Sequence, residues 1–294
     1  MVYRNHNYGQ GNPTETKAFE QLSFLTRSPN RTAVLRTLYR APHDRHELET
    51  LTEVPRPTLA RILGELEERG WVERENHEYE TTVVGELVVA ELLRTLRAIA
   101  TVHRLRQLLV TVPSEVISLD IEALSEATLT VAEPGSPFRP VKRFGELIQE
   151  STTLRDLNKS FIGHLCHAEL AELLDDGGSM TVVYEPEVVD SMLSATGDAA
   201  EAVRTGAVRV FVHEALPFGL SLFDERVALA GYDPATGALT TLVDTDSAEV
   251  RRWATGVYET YRADAVEYDE LGSSIPEPRA ETAETVQSAT DATF

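Results

Sequence analysis

Residues 55–72 read PRPTLARILGELEERGWV, and this stretch decides the fold of the N-terminal part. Leu59, Ile62, Leu63 and Leu66 recur at helical spacing and make one apolar stripe. Pro57 suits the first helical position, and Gly70 is placed to stop the helix. The opposite face carries Arg56, Thr58 and Arg61 near its start. Upstream, Asp44 is a good N-cap for a helix over 45–52, and Glu47 completes a capping-box spacing. Further back, Asn30 is positioned to cap a helix carrying Val34, Leu35 and Leu38, and the helical period itself begins at Lys17. Downstream, residues 71–74 alternate, Glu75-Asn76-His77 turns, and residues 78–81 alternate back as a hairpin. The order is helix, helix, tight turn, helix, two-stranded wing.

After the wing, residues 85–110 form one long helical pattern. Val89, Leu92, Leu96, Ile99 and Val102 give a seam wide enough to pair with a second helix, so a homodimer is expected. The character then changes. Short apolar runs at 129–131, 180–184, 208–212, 219–223, 227–230 and 239–243 read as strands. Helical stretches fall at 141–150, 165–174, 187–193, 198–204 and 246–262, and Leu154 lies in a further possible strand. The fold class expected is therefore a two-domain α+β / α/β chain. Its parts are a disordered arm at 1–16, a DNA-binding domain at 17–83 and a linker or dimerisation helix at 84–112. A mixed α/β regulatory domain at 113–268 and an acidic disordered tail at 269–294 complete it.

Charge separates the same two halves. The chain of 294 residues carries 27 Lys and Arg against 48 Asp and Glu, a net charge of −21. Residues 1–110 hold 15 basic and 15 acidic residues, so all the net acidity lies beyond them. A neutral segment in an acidic chain suits a surface that must not repel a polyanion. Only Lys17, Lys142 and Lys159 are lysines; the other basic residues are Arg. That bias, with the acidic excess, predicts a halophilic cytoplasm, where carboxylates hold water and cations. No apolar run is long enough to span a membrane, and the polar opening predicts no secretory signal, so a cytoplasmic location without a membrane partner is expected. The lone cysteine, Cys166, excludes an internal disulfide. His164, Cys166 and His167 lack a matching pair downstream, so no metal and no cofactor are expected.

A helix of this kind enters the major groove of duplex DNA while the one before it crosses the backbone. Arg56 and Arg61 are then candidates for guanine edges, and Thr58 for a thymine methyl or a phosphate. Arg45 and His46 open the preceding helix and can reach the backbone. Arg74 and His77 sit on the wing, within reach of the minor groove.

The strings PNRTAVLRTL (29–38), HEL (46–48) and RPTLARILGELEERGWV (56–72) resemble the winged helix-turn-helix of archaeal transcriptional regulators. The resemblance is strongest to a haloarchaeal type whose second domain is similar to the middle domain of the methanogenesis/filament regulator family. One position departs: Pro55 stands where a capping Ser or Thr is usual. In the second domain, residues 217–232, PFGLSLFDERVALAGY, resemble the strand–hairpin–strand of phospholipase D-like domains. That family carries His-x-Lys followed by Asp. Here Asp224 occupies the Asp place, while Pro217 and Gly219 occupy the His and Lys places. Without nucleophile or cation the resemblance implies a degenerate, non-enzymatic domain. The same fold type serves sugar-responsive archaeal regulators, which implies a small-molecule effector. Tyr184, His213, Glu214, Phe218, Asp224 and Tyr232 border predicted strands and are the candidates for its site. The function expected is a DNA-binding transcriptional regulator. The alternatives are a phospholipase D or nuclease-like enzyme with an appended winged helix, and a winged helix used for protein–protein contact.

Overall fold

The structure, a computed structural model, describes residues 12–113, 118–160, 162–195 and 197–268. The chain divides into two compact units between Ala100 and Thr101.

The first unit opens with helix α1, Pro13–Thr26. Asn12 caps it by accepting from the Thr14 N–H at 3.1 Å. The helix thus starts earlier than the periodicity predicted, and residues 12–16 do not belong to an arm. Residues 1–11 of that predicted arm and the tail at 269–294 lie outside the described residues. Helix α2, Pro29–Arg40, begins after Ser28 rather than Asn30. Strand β1, His43–Asp44, precedes α3, Arg45–Thr52, whose capping box forms as read. Asp44 Oδ1 accepts from the N–H groups of His46 and Glu47, and Glu47 Oε2 accepts from that of Asp44.

Helix α4 spans Arg56–Glu67 and buries Leu59, Ile62, Leu63 and Leu66, the stripe the sequence showed. Pro55 caps no N–H, but its carbonyl accepts from Leu59 at 2.9 Å, so the helix still starts there. Gly70 takes φ 66°, a left-handed conformation suited to glycine, and returns Trp71 N–H to Leu66 O. Strands β2, Val72–Glu75, and β3, Glu78–Thr81, make the hairpin, with β1 on its other edge in the order β1-β3-β2. Asn76 and His77 both have positive φ, as a two-residue type I′ turn requires. Helix α5 runs Val83–Arg104 and α6 only Arg106–Leu109. The predicted single helix to residue 110 therefore breaks at Leu105. Just before the break, the Arg104 guanidinium donates to the carbonyls of Leu124, Ser125 and Ala127.

The second unit is an eight-stranded sheet with helices on both faces. Its strands are β4 Thr128–Val131, β5 Thr153–Asn158, β6 Ser179–Tyr184, β7 Val208–Val212, β8 Gly219–Leu222, β9 Val227–Tyr232, β10 Leu239–Thr245 and β11 Val266–Glu267. The order is β11-β7-β6-β5-β8-β9-β10-β4, with only β5, β6 and β7 mutually parallel. Helices α7 Arg139–Gln149, α8 His167–Asp175, α9 Pro186–Ala195 and α10 Gly197–Arg204 complete the chain with α11, Ala248–Asp264. Neighbouring strand residues part to opposite faces, as the pleat demands. Val182 belongs to one buried cluster with Leu147, Leu173 and Met192, and Val183 to another with Leu105, Val250 and Tyr258. The architecture is mixed α/β around one large mixed sheet.

Candidate nucleic-acid interface and ligand cleft

Two of the predicted groove-facing arginines sit on the exposed side of α4, and each is held by a glutamate. Arg56 Nε donates to Glu49 Oε2 of α3 at 2.6 Å, which raises the arginine's already high pKa. Arg61 Nη1 donates to Glu65 Oε1 at 2.6 Å. Glu65 also accepts from Arg31, and although burial raises its pKa, the bonds from Arg61 and Arg31 outweigh that and lower it. Thr58 between them is half-buried.

Strand β1 ties the start of α3 to the hairpin, pairing His43 with Tyr79. Arg45 Nη2 then donates to the Tyr79 hydroxyl at 2.7 Å, and Arg74 lies 5.6 Å from the centre of the same ring. Arg45 and Arg74, distant in sequence, thus flank one tyrosine that sequence reading missed. Arg74 Nη2 also lies 3.3 Å from His77 Nδ1. His46 is exposed. The hairpin is acidic around them: Glu73 faces Glu80, and Glu75 faces Glu78. Burial and these neighbouring charges raise the pKa of Glu80.

In the second unit the predicted effector residues fall at two ends of the sheet. Asp224 follows β8, beside the start of β5. Its carboxylate accepts from the N–H and hydroxyl groups of both Thr152 and Thr153. Burial raises its pKa, but the bonds from Thr153 and Thr152 outweigh that and lower it. Asp224 is a clamp between strands, remote from the other candidates. Those lie where β5, β6, β7 and β9 end and β8 begins.

There a buried polar chain runs across the central strands β6, β5, β8 and β9. The Tyr232 hydroxyl donates to Asn158 Oδ1 at 2.6 Å, and Asn158 Nδ2 donates to Asp156 Oδ1 at 2.6 Å. Ser221 and Tyr184 donate to Asp156 as well. Burial raises the Asp156 pKa against those three hydrogen bonds. Tyr184 is therefore an interior strut, and burial, then the Asp156 charge, pushes its phenol well up. The spacing of Asp156 and Asn158, two apart in an apolar strand, was a legible sign of a shared face. Gly219 is packed against this chain. A Cβ there would overlap Asn158 Oδ1 and meet Ala230 Cβ at 2.7 Å and Tyr232 Cε2 at 2.9 Å. A side chain at position 219 would require Asn158, Ala230 or Tyr232 to shift.

Phe218 is buried and stacked on Trp253, with ring centres 6.2 Å apart. His213 Nδ1 accepts from Ala215 N–H, and its ring packs edge-on to Tyr261. Glu214 is exposed. Phe218 and Tyr232 border a cleft of about 590 Å³, whose lining also includes Lys159, Ser160, Asp233 and Pro234. His213, Glu214 and Tyr184 do not line it. The scarcity of lysine could have singled out Lys159.

Among the described residues, no group of three or more His, Cys, Asp or Glu is arranged to hold a metal ion, and no helix is long and apolar enough to cross a membrane. Cys166 is buried; burial, then the charge of Glu169, pushes its thiol up to about 12.

Residues 19–104 match the family model described as the HVO_A0261 N-terminal domain. Residues 137–264 match that of the methanogenesis regulatory protein FilR1, middle domain. No curated protein matches the chain. Among solved structures, TrmBL2, an archaeal chromatin protein whose structure shows a novel mode of DNA binding, is 13% identical. The alignment covers 85% of this chain and 99% of that one, with a TM-score of 0.41. NucT from Helicobacter pylori is 13% identical over 49% of this chain and 99% of its own, with a TM-score of 0.40. The phospholipase D family member Nuc from Salmonella typhimurium is 12% identical over the same shares, also with a TM-score of 0.40. The C-terminal unit thus matches the middle domain of a regulatory protein, and the N-terminal unit a second, separate family model.

Proposed function

We propose that the protein is a sequence-specific DNA-binding transcriptional regulator of a halophilic archaeon, with a C-terminal domain that senses a small metabolite. The first unit is read as a winged helix-turn-helix, with α4 as the helix that enters the major groove and β2–β3 as the wing. The observation that carries the reading is α4 itself. It buries one apolar stripe and leaves Arg56 and Arg61 exposed on the other side. Exposed ion pairs of this kind contribute little to stability, so the arginines are cheap to redirect toward base edges. The match of residues 137–264 to a regulator's domain supports the same reading. The closed space at Gly219 supports a domain without phosphodiester chemistry, whereas a nuclease reading needs a cation there.

The exposed face of α5 supports a homodimer. Leu87, Leu96 and Ile99 are exposed along it, and Phe19 and Leu22 are exposed on α1. A groove of about 560 Å³ lies between these helices, lined by Leu22, Leu87, Val88 and Leu92 among others. Apolar surface of this extent calls for a cover. Charge points to a second copy: Glu86 and Glu91 precede Leu93, whereas Arg94 and Arg97 follow it. A second copy laid antiparallel on this groove brings the acidic half of one α5 toward the basic half of the other. Light scattering in molar KCl is expected to give a dimer, and a monomer at micromolar concentration overturns this part.

The halophilic reading rests on the net charge of −21 with three lysines. At 0.01 M salt carboxylates repel over about 30 Å, against about 3 Å at 1 M. Circular dichroism is expected to show loss of structure as KCl is withdrawn. For DNA binding, the test is fluorescence anisotropy with a duplex from upstream of the protein's own coding region against a shuffled duplex. Preference for the former supports the regulator; equal affinity for both counts against it.

A further inference from the structure

The cleft beyond the ends of β5 and β9 carries charges of both signs on an otherwise neutral lining. Lys159 and Ser160 follow β5, and Asp233 and Pro234 follow β9, while Phe218 and Tyr232 give the cleft its apolar wall. The two loops are stitched together. The Ser160 hydroxyl donates to Gly237 O at 2.9 Å, and Gly237 N–H donates to Asp233 O at 2.8 Å. Asp233 Oδ1 accepts from the Thr236 hydroxyl, Thr236 N–H and Ala235 N–H, which hold the carboxylate in place and lower its pKa. The Lys159 ammonium spends one of its three protons on Pro217 O, at 3.4 Å. The wall is also fixed, because the Tyr232 hydroxyl is tied to Asn158 and Phe218 is stacked on Trp253.

We infer that this cleft binds a small zwitterion with an apolar body, an α-amino acid with a large apolar side chain. A carboxylate alone meets Lys159 but is repelled by Asp233, and an amine alone meets the reverse. A zwitterion meets both charges, the held carboxylate of Asp233 and the exposed ammonium of Lys159, and its side chain lies on the apolar wall. A pocket lined mostly by apolar groups, with a few placed polar ones, is the usual form of a small-molecule site, and about 590 Å³ is ample for this class. The inference rests on the sensor reading and gives its ligand a chemistry.

The test is isothermal titration of the full chain with L-phenylalanine and L-leucine, in KCl that keeps the fold intact by circular dichroism. The one-charge analogues 3-phenylpropionate and phenethylamine are run beside them. Binding of one amino acid per chain is expected, with each analogue at least about 10-fold weaker. Lys159→Ala and Asp233→Asn are each expected to lose about 10-fold for the amino acid with the melting temperature nearly unchanged. No binding by either amino acid overturns the inference. So does an analogue that binds as tightly as the amino acid, or a Lys159→Ala variant that binds as wild type. DNA anisotropy with and without the amino acid separates the two readings. Binding that leaves DNA affinity unchanged upholds the cleft and overturns its role as a sensor.

Discussion

Arginine meets carboxylate in both units, but in opposite settings. On α4, Arg56 with Glu49 and Arg61 with Glu65 are paired at the surface, with the arginine side chains 69% and 55% exposed. In the second unit Asp244 is fully buried on β10, and Arg143 and Arg226 both converge on its Oδ1. A surface pair gains little over its two hydrated ions, so it can be exchanged for another anion. Asp244 has already lost its water, and removing either arginine takes away part of what compensates its buried charge. The first arrangement is suited to release arginine to a polyanion; the second locks α7 and β9–β10 in place.

The largest expected effect follows from the buried site. Asp244→Ala removes the acceptor that Arg143 and Arg226 share, leaving them beside Glu146 and Asp246, and is expected to cost about 3 kcal/mol, read as a fall in the denaturation midpoint. Next come Arg56→Ala and Arg61→Ala. Each is expected to weaken specific DNA binding by about 1–3 kcal/mol while stability stays within about 1 kcal/mol of wild type. If stability falls and DNA binding does not, the contrast between the two settings is wrong.

Asp224 gives a pH-dependent step between these extremes. Its folded pKa is lowered, so its stabilising contribution is present above the unfolded aspartate value and is lost as pH falls through the folded value. Asp224→Asn is expected to cost about 1–2 kcal/mol at pH 7, with the gap to wild type closing in acid. A gap that persists at low pH assigns the loss to packing instead. The smallest effect is expected from Glu49→Gln. It frees Arg56 and removes a negative charge beside it, and DNA affinity is expected to rise by less than about 1 kcal/mol with stability almost unchanged.

What the sequence showed, and what it hid, follows from the range of the interactions involved. The capping box at Asp44 and Glu47 and the apolar stripe of α4 are local patterns, and both formed as read. Asn12, Pro13 and Glu15 are also a local start signal, obscured by the polar composition of the residues around them. The break at Leu105 was hidden because the apolar period continues through it. Leu105 and Leu108 join the core against β9 and β10, and the Arg104 guanidinium beside the break binds carbonyls 20 or more residues away, contacts that no local pattern announces. Strand β1 is two residues long and exists through its pairing with Tyr79, so nothing at His43 or Asp44 announces it. The cleft was half legible. Phe218 and Tyr232 border strands that the pattern found, whereas Lys159 and Asp233 come together through a loop contact between Ser160 and Gly237.

The central claim is sequence-specific recognition by α4 of a two-fold related dimer. Selection of duplexes from a random-sequence library by the full-length protein tests it most directly, at one fixed KCl concentration that keeps the fold intact. The account predicts convergence on a palindromic motif with half-sites about 10 bp or a multiple apart. It also predicts that Arg61→Ala relaxes the preference at one position in each half-site. A pool that shows no enriched motif, or an Arg61→Ala variant that selects the same motif at every position, would contradict it.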